Sequence, residues 1–318
     1  MPLVVESRAQ SSSSALEILV SDEPSPVRWL SRLFGDDAAL TPGVTRSTDD
    51  GQVALLVRSI RGAAALDDRA FEAAVRELYL ELLGELRERG LEPIRLWNHV
   101  PEILRPGGRG GLRYMVFNAG RYAAYAEFHG AGEPFGRRLP TASGTGCGGS
   151  DLLIYCLAPA DGAETLENAR QIPAYRYSKR YGTFPPCFTR ATRVASRTLG
   201  LPGPERPALL VGGTASIRGE SSLHRGLLMR QLEETLDNLV ELTRSGLEQT
   251  PAAAAEIDGR SRALGRFRDL RVYHPSRADR QSLRDAVGEL FPGLDTLELV
   301  TCDLCRPELL VEIEGTAV

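Results

Sequence analysis

The amino-acid sequence predicts an α+β protein of two units, each a mixed sheet with helices on one face. Three observations carry that expectation. The second half reads strand, helix, strand, helix, strand, strand in its apolar pattern. The first half reads as a looser copy of the early part of that order. A chain of 318 residues, 42% hydrophobic and 25% charged, suggests about two domains with ordinary cores. Mixed strands with two helices on one face make a sandwich rather than a doubly wound sheet.

Met1 to about Ser14 ends in a serine run without periodicity and is expected to be a mobile tail. Leu16 to Val20 and Val53 to Val57 are short apolar segments between turn residues, which predicts strands opening a first domain over 15–160. Asp67-Asp68 can cap a helix in which Phe71, Val75, Leu78, Leu82 and Leu86 recur at helical steps until Arg89-Gly90. Tyr114 to Phe117 and Leu152 to Leu157 look like strands. The glycine-rich Gly144 to Gly149 lies between them.

Residues 161–186, rich in Arg, Tyr and Pro, read as a connector to a second domain over 187–318. There Leu209 to Val211 is a strand, and Leu228, Leu232, Leu236, Leu239 and Leu242 form a helix stopped by Ser245-Gly246. Leu270 to Tyr273 is a strand and Leu283, Val287, Leu290 and Phe291 a helix. Leu297 to Cys302 and Leu309 to Ile313 are closing strands.

Composition excludes several classes of function. Acidic and basic residues, 42 against 38, nearly cancel, so no overall field draws the chain to nucleic acid or an anionic membrane. No apolar run approaches the ~20 residues that span a bilayer, and no leader pattern opens the chain, so a cytoplasmic location is expected. The five cysteines are expected to be free thiols.

Three motifs fail on context. Gly144 to Gly149 has the letters of a dinucleotide fingerprint, but a strand rather than a helix follows it. Cys302 and Cys305 are half a zinc site without a second pair, and the four histidines show no ligand spacing, so no metal is expected. Ser216 lacks the spacing of a hydrolase nucleophile.

Other motifs carry a resemblance. Leu209 to Gly246, with Gly212, Gly213 and Thr214 at its turn, resembles the ligand-binding segment of reactive-intermediate deaminases (the YjgF-like fold). The closing Leu309 to Val318 resembles that family's last strand, whose first glutamate faces the ligand; this assigns Glu312 inward. Strand alternation puts Glu312 and Glu314 on one face, opposite Val311 and Ile313. More specifically, Asn118-Ala-Gly-Arg121, Glu167 to Tyr177, Gly212 to Ile217 and Asp303-Leu-Cys-Arg306, in that order, resemble the chorismatase family over most of Arg95 to Val318.

That resemblance implies two YjgF-like domains, the second catalytic, and an enzyme that removes pyruvate from chorismate without a cofactor. The product is 3-hydroxybenzoate or a dihydroxycyclohexadiene carboxylate. A dianionic substrate needs placed arginines, for which Arg121, Arg176 and Arg190 are candidates. Opening an enol ether needs an acid to protonate its methylene carbon, and by family position that acid is Glu312. Tyr175, Thr214 and Ser216 are expected to orient the substrate, Gly213 to let the backbone approach, and Cys302 to touch the ring. Glu314, near the end of the chain, is expected to stay in water. Leu104 and Arg218 depart from the family pattern. The alternatives are imine hydrolysis of the deaminase kind, which lacks its arginine over Asp295 to Val300, and a non-catalytic small-molecule sensor. The partner is a small molecule, not nucleic acid or a membrane, and the oligomeric state is open.

Overall fold

A computed structural model describes residues 4–8, 16–23, 25–35, 41–108, 111–130, 136, 138–160, 162–247 and 256–318. Two sheets lie face to face, each carrying helices on its outer side. The first has five strands: β3 (Thr45–Ser47), β4 (Val53–Ile60), β5 (Arg95–Pro101), β6 (Thr141–Cys147) and β7 (Leu152–Pro159), in the order β3-β4-β7-β5-β6. The second has eight, in the order β1-β2-β14-β13-β15-β10-β9-β8. They are β1 (Val4–Arg8), β2 (Leu16–Ser21), β8 (Glu164–Leu166), β9 (Ala191–Ala195), β10 (Pro207–Ala215), β13 (Phe267–His274), β14 (Thr296–Thr301) and β15 (Glu312–Ala317). A ribbon of β11 (Ile217–Arg218) and β12 (Ser221–Ser222) stands apart.

The helices are α1 (Ser31–Phe34), α2 (Asp68–Glu88), α3 (Arg113–His129), α4 (Leu228–Leu247), α5 (Glu256–Leu264) and α6 (Arg280–Leu290). Asp67 caps α2 by accepting from the amide of Ala70 at 2.8 Å. Phe71, Val75, Leu82 and Leu86 of α2 and Phe117 and Ala124 of α3 bury against Ala54, Leu56, Leu96 and Ile154 of the first sheet. Leu232, Leu236 and Leu239 of α4, with Leu283 and Val287 of α6, bury against Leu209, Val211, Leu270, Val272 and Ile313 of the second.

Strand alternation turns the other residues inward, between the sheets. Val53, Leu55, Val57, Trp97 and Leu157 of one sheet meet Val194, Ala208 and Leu210 of the other. Farther along, the same layer is polar: Arg95, Asp269, Arg271, Glu298 and Glu314 are all buried there. Buried charges persist only when paired. Arg271 pairs with Glu298, Arg32 with Asp269 and Arg95 with Glu314.

The fold class is the expected one, with several corrections in detail. Leu16–Ser21 does not open the first sheet; it pairs in parallel with β14 of the second. Its apolar alternation suits either edge, and only the partner decides. Val4–Arg8, within the expected tail, pairs antiparallel with it; the rest of that tail lies outside the described residues. Tyr114 to Phe117 belongs to α3 rather than a strand, because a four-residue apolar run fits either period. Gly144 and Gly146 lie inside β6, not between strands, and leave room for Tyr114 and Asp303. The connector supplies an edge strand, β8, paired with β9.

Candidate active site

The double-glycine step in β10 determines how closely the sheets meet. Its register with β15 shifts between Val211 and Thr214, which sets Gly212 and Gly213 in a bulge. A β-carbon at Gly212 would lie 2.8 Å from Cγ2 of Thr141 on β6. The amide of Gly213 donates to Oγ of Ser143 at 3.1 Å. Only glycines allow this approach.

Beside the bulge lies a cavity of about 180 Å³. The first half contributes Leu112, Tyr114, Met115, Ala142, Ser143 and Gly144; the second contributes Gly213, Ala215, Ile217, Cys305, Arg306 and Glu312. Tyr177, Arg180, Tyr181, Phe188 and Arg190 close it from the connector side. The wall is largely apolar and aromatic, with charge concentrated at a few points, as in small-molecule sites generally.

Glu312 is one of those points. It opens β15, opposite Ala215 and Tyr273, and is 4% exposed. Burial pushes its carboxyl up to about 8; the neighbouring Glu314 adds to this, while Arg95, Arg190 and Arg306 oppose it. At neutral pH it therefore holds a proton while facing a cavity, which is what a general acid requires.

Three arginines, Arg180, Arg190 and Arg306, line the same space, and of these Arg190 and Arg306 are buried. Nη2 of Arg190 donates to the hydroxyl of Tyr177 at 2.6 Å, and its guanidinium lies 5.1 Å from the Phe188 ring centre. Nη1 of Arg306 donates to the carbonyl of Glu220 and to Oγ of Ser222, both at 2.9 Å. Its guanidinium stacks 3.9 Å over Tyr181. Both forks are held in place before any ligand arrives.

Of the expected site residues, the structure brings Glu312, Arg190 and Gly213 together at the cavity, and not the others. Arg121 is buried among the α2 and α3 aromatics, with Nη2 donating to Oδ1 of Asn118 at 2.8 Å. Arg176 is exposed on the turn Ala174–Arg176, because that turn directs it outward. Tyr175 packs on Gly136, where a β-carbon would lie 2.6 Å from its ring. Thr214 donates to the carbonyl of Gly212 at 2.9 Å and Ser216 to that of Leu223 at 3.2 Å, so both hydroxyls serve the local backbone. Cys302 packs on the cluster of Tyr273, Leu304, Ala215 and Ile217 and is not among the residues that line the cavity, and burial pushes its thiol far up.

Glu314 is a further correction. It is 2% exposed rather than in water, because β15 lies inside the sheet, between β13 and β10, with the first sheet across its inner face.

Arg306 and Glu167 stood inside quoted motifs without being singled out. Both Glu167 carboxyl oxygens are buried without a hydrogen-bond partner among the described residues, and burial pushes the group up to about 7 against Arg190 and Arg176. Tyr177 likewise closed a quoted motif without being singled out, whereas Tyr114 and Ser143 stood in no such motif, since only folding brings them to the wall. Among the described residues no cluster of three or more His, Cys, Asp or Glu is placed to hold a metal, and no helix is long and apolar enough to cross a membrane.

The two-sheet α+β fold thus sets a buried carboxyl, pushed toward its protonated form, beside two buried arginines on one cavity. Comparison with known proteins gives the family. Residues 38–158 match the family described as chorismatase FkbO/Hyg5-like, N-terminal. A 3-hydroxybenzoate synthase of Streptomyces hygroscopicus is 34% identical over 250 residues, 78% of this chain and 70% of that protein. A chorismatase of Streptomyces rapamycinicus is 33% identical, over 76% of this chain and 68% of the relative. The crystal structure of a chorismatase superposes with a TM-score of 0.69 at 26% identity, covering 87% of this chain and 80% of that one. The chain belongs to the chorismatase family.

Proposed function

We propose that this protein cleaves the enolpyruvyl ether of chorismate and releases pyruvate, with Glu312 as the proton donor. The observation that carries this is the buried, protonated Glu312 facing the same cavity as Arg190 and Arg306. Two carboxylates on the substrate call for two fixed cations, and planar guanidinium forks match them in shape and charge. Tyr177 and Tyr181 hold those forks in place.

Glu312 delivers its proton to the methylene carbon of the enol ether, and positive charge develops on the ether-bearing carbon and oxygen. Ionised Glu312 then offsets that charge inside a low-dielectric pocket. Water adds to the positively charged carbon, returning a proton to Glu312, and the hemiketal breaks its bond to the ether oxygen to free pyruvate. Alternatively the neighbouring ring hydroxyl gives its proton to Glu312 and attacks the ring carbon bearing the ether, whose bond to the ether oxygen breaks as pyruvate leaves. The ring oxide so formed opens and loses a ring proton to become aromatic. Water attack yields a dihydroxycyclohexadiene carboxylate. The internal route yields 3-hydroxybenzoate with no water consumed. Gly213 keeps the backbone clear of the acid, and Ser143 lines the wall beside it.

Incubating the purified protein with chorismate tests the reading. One pyruvate should appear per chorismate consumed, with an aromatic product isomeric with the remainder or a diene one water heavier. Chorismate that survives unchanged would overturn the proposal. Mass and ultraviolet spectra separate the two products.

A further inference from the structure

Glu314 lies two residues beyond Glu312 on the same face of β15, about 6.5–7 Å along the strand. Its carboxyl receives donors from both sheets. Arg95 Nη2 lies at 2.5 Å, Trp97 Nε1 at 2.8 Å and the Tyr273 hydroxyl at 3.0 Å, and Ser143 Oγ also donates to it. A guanidinium and an indole have no acceptor atom, so this arrangement suits a carboxylate rather than an acid. The remaining bonds of Arg95 go to the carbonyl of Leu96 at 2.8 Å and to Ser143, which turns its charge toward Glu314.

We propose that Glu314 is a positioning residue for the proton donor: a carboxylate locked across the sheet interface, whose charge keeps the proton on Glu312. This rests on the reading of Glu312 as the acid. Two like charges on one buried strand face disfavour each other, and at about 7 Å in a protein interior the effect is about one to two pH units. Burial alone acts in the same direction, and three cations, Arg95, Arg190 and Arg306, act against it. Without Glu314 burial alone would oppose those cations.

The other groups around Glu312 do not supply this charge. Tyr114, Cys302 and Cys305 keep their protons, because burial pushes each of them up. Glu308, at the rim, faces Arg225 at 3.6 Å, and Asp303 is exposed. Arg180, Tyr177 and Tyr181 stand on the connector side of the cavity. Glu298, one layer farther on, is paired with Arg271.

The experiment compares wild type with Glu314→Gln, Glu314→Asp and the double variant Arg95→Met/Glu314→Met. The double variant removes the buried pair whole, a change that folds tolerate better than a stranded charge. In the ligand-free protein, the infrared band of the protonated Glu312 carboxyl is titrated, assigned by its loss in Glu312→Gln. The alkaline limb of kcat/KM for chorismate is measured in parallel. In Glu314→Gln both midpoints should fall together by about one to two pH units, and Glu314→Asp should restore them. The double variant should shift the same way by a smaller step, since Glu314 outweighs Arg95 at Glu312. A Glu312 midpoint unmoved in both uncharged variants overturns the inference. A midpoint that moves while the kinetic limb stays put overturns instead the reading of Glu312 as the acid.

Discussion

A β-carbon built on Gly213 would overlap Oε1 of Glu312 and lie 2.8 Å from its Cδ, so the Glu312 carboxyl occupies the space this glycine leaves open. Gly213 is not among the glycines with positive φ, so alanine meets no backbone strain there. Gly213→Ala should therefore fold normally by circular dichroism and lose at least about tenfold in turnover, because an ångström of displacement at a proton donor is costly. Pyruvate release measures it.

Glu312→Gln keeps the size of the side chain and removes its proton. Turnover should fall by at least about a hundredfold while chorismate binding, followed by calorimetry, survives. In the wild type, activity should decline as pH rises through about 8, where Glu312 ionises.

The same group makes stability depend on pH. Its folded value of about 8 lies above the ordinary 4.5, so between these the native state binds more protons than the unfolded chain. Stability contributed by this group is complete below 4.5 and is lost as pH rises through about 8. Denaturant midpoints should therefore fall across this window. Glu312→Gln should flatten the fall, and an unchanged slope would refute the assignment.

Arg190→Met and Arg306→Met should each raise KM for chorismate by about tenfold or more, the worth of a charge-assisted bond to a substrate carboxylate. Arg176→Ala should leave KM within about twofold, as its side chain is exposed away from the cavity. Steady-state kinetics on the three variants compares the two positions directly.

Arg95→Met strands Glu314 in the sheet interface. Removing one partner of a buried pair costs about 3–5 kcal/mol, so thermal unfolding should shift down by many degrees. Arg76→Ala, which breaks an exposed pair with Glu127, should shift it little.

The sequence by itself determined the periodicities. Period two along β15 put Glu312 and Glu314 on one face, and helical steps marked α2, α4 and α6. The motif around Gly212 and Gly213 and the closing glutamate were legible because they are local. Arg190 was one of three candidates, and nothing local separates it from Arg121 or Arg176, which share its chemistry. Only the tertiary structure decided among them, by turning one to the cavity, one into a helical core and one to solvent. It also decided the surroundings of Glu314, whose partner Arg95 is 219 residues away in the chain. A face that would meet water in an isolated sheet is covered here by a second sheet. Which surface covers a strand depends on contacts between distant segments, and the pattern of a single strand carries no record of them.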